Sequence, residues 1–328
     1  MKKWQKKFNQ DPVVPLLESK NFSIKYFTKS DLLSEDIEPI ETIWQLPQVK
    51  KILTKQQTEG FWKYPGKKVN QYPKHHYLLL QTWKEFRLLV ERYEISKNHS
   101  AGEAAANFLF SCQTDEGDIR GMIGNQYATY YTGAIMAVLI KAGYVDDSRI
   151  ELGFKWLLNM RQDDGGWTIP ILTHKFDRKT QNRLTGDFAE PVEPDRKKPF
   201  SHNWTDMVLR AFAAHPGYRK SKEAYTAGAL LKSTFFQPDV YTSYQAPRYW
   251  TRFAFWWPSL LTGLESLYLL GFPPDDKDIK AGLLWFIDNQ QPDGLWKLES
   301  HKEISSKDRE ERLWLSLSIC RLLKSYYP

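Results

Sequence analysis

Residues 154–167 read FKWLLNMRQDDGGW: a helix-like run, an acidic pair, two glycines and a tryptophan. Ile150, Phe154, Leu157 and Leu158 fall at i, i+4, i+7 and i+8, one face of a helix. Read alone, Asp163 and Asp164 invite a role as metal ligands or as a proton donor. Negative charge is disfavoured at a helix C-terminus. The pair therefore belongs beyond the helix, in a Gly-containing turn that Asp tolerates.

The stretch has relatives along the chain: KKILTKQQTEGFW (50–62), FLFSCQTDEGDI (108–119) and LLWFIDNQQPDGLW (283–296). STFFQPDVYT (233–242) is a decayed copy, with Val240 and Thr242 in the places of Gly294 and Trp296. On a common register the copies start at 56, 113, 161, 236 and 290, a period of about fifty residues of the kind that marks a repeat architecture. Amphipathic segments precede the copies, and Ser100 with Glu103, like Ser148 with Glu151, has capping-box spacing. After each copy and a polar loop comes a segment apolar nearly all round: 128–140, 202–214, 253–272 and 312–323, with the more polar 77–90 as first member. A helix apolar on every side is enclosed by others.

Each unit is therefore an outer amphipathic helix, a turn, a loop and an enclosed inner helix. The expected fold is all-α, an α/α toroid of five to six helical hairpins with inner and outer helix rings. An open solenoid is the alternative, although both of its helix types are usually amphipathic. Residues 1–46 form an irregular N-terminal element, and 47–328 form the repeat domain, interrupted by a long loop at 168–201.

At these residues the chain resembles the squalene and oxidosqualene cyclases, whose QW repeat ends an outer helix in Gln, three residues, Gly, any residue and Trp. Protein prenyltransferase β-subunits share it more loosely. Gln56, Gly60 and Trp62 match in full, as do Gln290, Gly294 and Trp296. The copy at 113 keeps Gln113 and Gly117 but has Ile119; that at 161 keeps Gly165 and Trp167, with Arg161 in the glutamine register and Gln162 beside it. The resemblance implies an α/α toroid in which the glutamine ties its helix to the next hairpin and the tryptophan packs over it. The family's activity motifs are missing. There is no DxDD tetrad and no DDxxD, and Cys112 and Cys320 lack the partners of a prenyltransferase zinc site. Asp275-Asp276-Lys277-Asp278 starts an outer helix, where acidic residues are favourable. No cofactor or metal is expected.

Composition narrows the classes. The 328 residues include 13 Trp, and large rings must pack in a core or around a cavity. The basic N-terminus has no apolar stretch behind it, no run has the length of a membrane span, and two cysteines make no disulfide framework. A cytoplasmic location is the default, with peripheral membrane contact open. The five outer-to-inner loops hold 16 Lys/Arg against 9 Asp/Glu, an excess equal to the net charge of +7 of the whole chain. In a ring these loops share one face, where inner-helix N-termini add positive potential. That face either attracts an anionic ligand or is a solvated basic surface. No recognition motif points to nucleic acid. Loop 168–201, with Arg178, Lys179, Arg183, Arg196, Lys197 and Lys198, is either a lid or a passive insertion.

The candidate site lies at the inner-helix starts. In SHNWTDM (201–207), His202 and Asp206 stand at i and i+4, a spacing that suits a carboxylate-oriented general acid or base. The alternative is a capping network with Asp206 paired to Arg210. In RYWTRFAFWW (248–257), Arg248 and Arg252 share a face and suit a phosphate or carboxylate. Tyr130, Tyr131, Trp204, Tyr249, Trp250, Trp256 and Trp257 line an apolar cavity or fill the core. Glu265, alone in an apolar helix, requires a buried partner or faces the cavity.

Three functions fit these features. The first is binding or transforming an isoprenoid or related lipid, with or without a diphosphate; as an enzyme this is a cyclase-like lyase or isomerase, or a transferase. The second is cleavage of an acidic polysaccharide, a chemistry other α/α toroids carry. The third is a non-catalytic ligand-binding protein, or a subunit that needs a partner chain.

Overall fold

The computed structural model describes residues 3–68, 72–186, 189–241, 247–254, 257–298 and 305–328. Ten of its helices form five hairpins. Outer and inner helices alternate: α1 (Pro47–Leu53), α2 (His76–Tyr93), α3 (Ser100–Ser111), α4 (Thr129–Leu139), α5 (Ser148–Asn159), α6 (His202–Ala214), α7 (Lys222–Ser233), α8 (Leu260–Leu269), α9 (Lys277–Asp288) and α10 (Ser306–Tyr326). A four-residue strand, Met122–Asn125, is the only named strand among the described residues. The fold is all-α and consistent with an α/α toroid. The chain divides into two compact units, one of residues 40–230 and the other of 1–39 with 231–328.

The repeat turn is built alike in four copies. After the outer helix, a two-residue turn closes with paired backbone bonds: Gln57 to Phe61, Thr114 to Asp118, Gln162 to Gly166 and Gln291 to Leu295. Gly60, Gly117, Gly165 and Gly294 adopt φ of +89°, +111°, +103° and +82°, a left-handed conformation that disfavours any residue with a Cβ. Asp163 and Asp164 are turn residues. Asp164 accepts from the Gly166 and Phe200 amides at 3.0 and 2.8 Å, while Asp163 is exposed and 3.8 Å from Arg196.

The glutamine amide donates twice, to the carbonyl four residues on and to the start of the following outer helix. Gln56 reaches Gly60 and Ala101, both at 2.9 Å; Gln113 reaches Gly117 and Arg149, both at 2.8 Å. In the third copy the Arg161 guanidinium takes over the Gly165 carbonyl at 3.0–3.1 Å, and Gln162 holds the long loop through Asp195 and Lys198. Gln290 bonds Gly294 and Gln10, both at 2.9 Å. The N-terminal segment thus gives the last copy the contact that a following outer helix gives the first two. It also packs Phe8 on Trp296, pairs Asp31 with Arg321 and buries Trp4, Leu16, Ile24 and Leu32.

The tryptophan indoles of Trp62, Trp167 and Trp296 each donate to the carbonyl ten residues back, at 2.6–2.8 Å. Each residue's own amide is received by a hydroxyl of its inner helix: Thr82, Thr205 and Ser316, with Thr132 serving Ile119. This fourth position of the repeat is invisible in the linear pattern, because its separation from the turn varies with loop length. The decayed copy differs. Phe236 takes φ +62°, and Trp250 bonds Gln237 at 2.9 Å; Val240 is exposed, and Thr242 lies outside the described residues.

Three expectations are corrected. The N-caps of α3 and α5 are His99 and Asp147, not Ser100 and Ser148, because acceptors one residue earlier already reach the Ala101 and Arg149 amides. The inner helix expected from 253 begins only at Leu260, after Pro258, with Ser259 and Thr262 in a capping box. That helix is also not enclosed on all sides: Glu265, Tyr268 and Leu269 form an exposed stripe at i, i+3 and i+4, so Glu265 has no burial to offset.

Loop 168–201 has structure of its own, including the helix Arg178–Leu184. Buried Gln126 donates to Leu184 and Glu190 and accepts from Val192, at 2.8–3.0 Å. Thr173 accepts from the Asp195 amide, and Asn125 donates to Ala189. The loop is fastened along both sides.

Candidate functional site

The turn of the third copy sets the site. Trp167 is held at both polar ends of its backbone by Thr205, whose hydroxyl accepts from the Trp167 amide and donates to its carbonyl. The next carbonyl, that of Thr168, receives the Thr129 hydroxyl at 2.7 Å. One turn therefore fixes the first turns of both α4 and α6. Between these helices Gly133 allows close approach, since a Cβ there would lie 2.6 Å from Val208 Cα.

Four rings from three inner helices meet as a result. Trp83 of α2 contacts Tyr131 edge-on at 5.0 Å, Tyr131 contacts Tyr130 at 4.3 Å, and Tyr130 contacts Trp204 at 4.4 Å. These spacings suit aromatic pairing. Met207, Val208, Leu209 and Phe212 of α6 are sealed at 0% exposure, whereas the four rings keep 3–9%.

Charge is buried beside them. Asp206 is fully buried and pairs with Arg210 at 2.7 Å, the capping-network alternative of the sequence. His202 is buried at the first position of α6, after the Ser201 cap. From α2, buried Arg87 lies over the Trp83 ring at 4.4 Å, and half-buried Glu91 pairs with exposed Lys141 at 3.3 Å. Burial pushes Arg87 down to about 9, opposed by Glu91 and reinforced by Arg210, so it stays charged at neutral pH. Burial raises Glu91, but Lys141, Arg87 and Arg210 together hold it below its ordinary value. Burial lifts the Tyr131 phenol to about 12 and the Tyr130 phenol well above the ordinary range.

The structure brings together Trp204, Tyr130 and Tyr131, and places His202 and Asp206 on the same helix as Trp204, both buried. The other sequence candidates fall in the second unit. There Trp250 is buried against Phe235 at 5.0 Å, as core. Arg248 and Arg252 are exposed, each 5.6 Å from the Tyr249 ring, and Tyr249 and Trp257 are half-buried. Trp256 lies outside the described residues. Trp83, Arg87 and Glu91 were missed by sequence reasoning. The available signal was an arginine one turn after a tryptophan inside an inner helix. Among the described residues no group of three or more His, Cys, Asp or Glu is placed to hold a metal, and no helix is long and apolar enough to cross a membrane.

No family model and no curated protein matches the chain. Among solved structures it is similar to a protein from Actinoplanes, at 14% identity over 97% of this chain and 89% of that one, TM-score 0.44. It is also similar to the type II terpene cyclase MstE from Scytonema. The apo form aligns at 13% identity over 84% of this chain and 95% of that one, TM-score 0.36, and a variant bound to its substrate geranylgeranyl dihydroxybenzoate at 12% over 85% and 95%, TM-score 0.37. Similarity this distant carries no functional argument.

Proposed function

We propose that this chain binds an isoprenoid lipid along the rings of α2, α4 and α6. The observation that carries the reading is the contact series Trp83–Tyr131–Tyr130–Trp204, four buried rings contributed by three inner helices. A branched apolar chain gains dispersion and area burial against such faces, and any positive charge developing along it meets their π-electrons. The QW-type repeats support the same reading, since the family they resemble encloses isoprenoids. The proposed proton-handling groups are His202 and Asp206, which the Trp167 turn holds at the start of α6.

Equilibrium dialysis with radiolabelled geranylgeraniol tests this. The folded protein should retain the lipid, and W204A should weaken binding on the order of 30-fold, from about 2 kcal/mol of lost ring burial. Equal retention by wild type and W204A, or none by folded wild type, would refute it.

A further inference from the structure

We propose that the surface on either side of the Met122–Asn125 strand binds an acidic polysaccharide, a polymer of carboxylate-bearing sugars. This surface is independent of the isoprenoid site. Two stretches far apart in sequence supply it. One, 63–68 with 72–77, leads into α2 and carries Lys63, Lys67, Lys68 and Lys74 with no acidic residue. The other, 175–184, holds the loop helix and carries Lys175, Arg178, Lys179 and Arg183 with a single acid, Asp177. Asp177 already serves as that helix's N-cap, accepting from the Thr180 amide at 2.7 Å. All eight cations are exposed, and among the described residues none of them is in an ion pair. Carboxylates of the adjoining segments are engaged elsewhere: Arg120 takes Glu116 and Asp118, both at 2.9 Å, and Glu193 lies 3.2 Å from the Tyr127 hydroxyl.

A glycine hairpin joins the two stretches. Gly121 and Gly124 pair as an antiparallel bridge, about 5 Å apart, around Met122 and Ile123. On one side His75 Nε2 and His76 Nδ1 bond the Arg120 and Gly121 carbonyls at 3.1 and 2.6 Å. On the other, Gly124 packs against the Thr185 carbonyl, and Gln126 donates to the Leu184 carbonyl at 2.8 Å. Both glycines have positive φ, and neither position has room for a Cβ: it would collide with His75 Nε2 at 121 and with the Thr185 carbonyl at 124. The two basic stretches therefore flank a spacer one bridged pair wide. A surface of one sign gathers anions, and its chemistry narrows which. Most of the cations are lysines, point charges without the planar fork that grips a phosphate. Tyr72 stacks on His76 at 4.3 Å and Tyr64 lies against Tyr77 at 4.9 Å. These ring faces are taken, which disfavours the base stacking that holds single-stranded nucleic acid. Phenol hydroxyls and ammonium groups suit a polymer of hydroxyls and carboxylates.

Biolayer interferometry on immobilised polygalacturonate tests this, with dextran, single-stranded oligo-dT and phosphatidylglycerol vesicles as competitors. The wild-type protein should bind, with affinity falling as salt rises. Free polygalacturonate should compete best, oligo-dT and vesicles more weakly, and dextran not at all. K63Q/K67Q/K68Q and K175Q/R178Q/K179Q should each weaken binding at least about tenfold. K50Q/K51Q/K55Q removes the same charge from exposed positions in and just after α1, and should change affinity less than about twofold. G124A keeps every cation but pushes the hairpin off Thr185, and should also weaken binding. Absent binding, equal losses in all three triple variants, loss from only one of the two stretches, or unchanged binding by folded G124A would overturn the proposal. So would tighter binding of oligo-dT or of vesicles than of polygalacturonate. If G124A does not fold, the three matched variants, all at exposed positions, decide alone. None of these outcomes touches geranylgeraniol retention, so the two readings fail separately.

Discussion

Gly271 and Gly294 lie in the same compact unit with nearly the same backbone, φ +87° and +82°, yet their surroundings differ. A Cβ on Gly271 meets nothing within 4 Å. On Gly294 it meets the Asp11 carbonyl oxygen at 2.9 Å and Pro12 Cα at 3.4 Å, both of the N-terminal segment that Gln290 ties. Alanine at either position forces a left-handed backbone on a residue with a Cβ, which costs about 1 kcal/mol. Only at position 294 must backbone also move, and overpacking of that kind adds about 1–3 kcal/mol. G271A should therefore lose about 1 kcal/mol, and G294A about 2–4 kcal/mol. Urea unfolding followed by circular dichroism measures both. Limited proteolysis supplies the second readout, since G294A alone should speed cleavage within residues 3–39. Equal stability losses, or equal proteolysis, would refute the claim that the last repeat turn is shaped around the N-terminal segment.

Two further predictions concern the site. Removing Arg210 alone, as R210M, takes the ion-pair partner at 2.7 Å from the fully buried Asp206 and should cost about 3–5 kcal/mol, whereas D206L/R210M should recover most of the loss. Thermal melts of both variants check this, and a double variant as unstable as R210M would show the pair to be more than a charge balance. His76, whose Nδ1 donates to Gly121 at 2.6 Å, and His99, whose Nδ1 caps α3, both have pKa values lowered from 6.5 by burial. Folding thus weakens their proton binding. Their contribution is present above 6.5 and is lost as pH falls below it. In H99N, where Asn caps without titrating, the melting midpoint should fall less steeply between about pH 7 and 5 than in wild type.

Local chemistry made much of the fold legible. Helical spacing marked the outer helix at Ile150, Phe154 and Leu157, all buried, and charge-free 128–140 marked α4, buried throughout Thr129–Leu139. The turn glycines announced themselves because a left-handed backbone has few occupants. Arg161 is instructive: in the glutamine register, it supplies the same bond to Gly165 with a different donor. Illegible were features set by distance in space. The Thr and Ser hydroxyls that receive the repeat amides sit 13 to 38 residues away, a spread no fixed-period search detects.

The candidate site divides the same way. SHNWTDM and the tyrosine pair stood out because polar and aromatic residues at the start of an apolar helix are conspicuous. Arg87 did not, because α2 also carries Lys84, Glu85, Glu91 and Arg92, and one more cation there looks like surface.

By itself, then, the sequence determined that this chain is a set of helical hairpins with repeated turns, and that Asp163 and Asp164 are turn residues. These follow from backbone preference and burial period, which act between neighbours in the chain. Only the tertiary structure decided that Gln290 finds Gln10, that Asp206 spends its charge on Arg210, and that Arg87 lies over Trp83 at one end of four contacting rings. Electrostatic and ring contacts fall off over a few ångströms of space whatever the separation in sequence, so the site exists only once α2, α4 and α6 have packed.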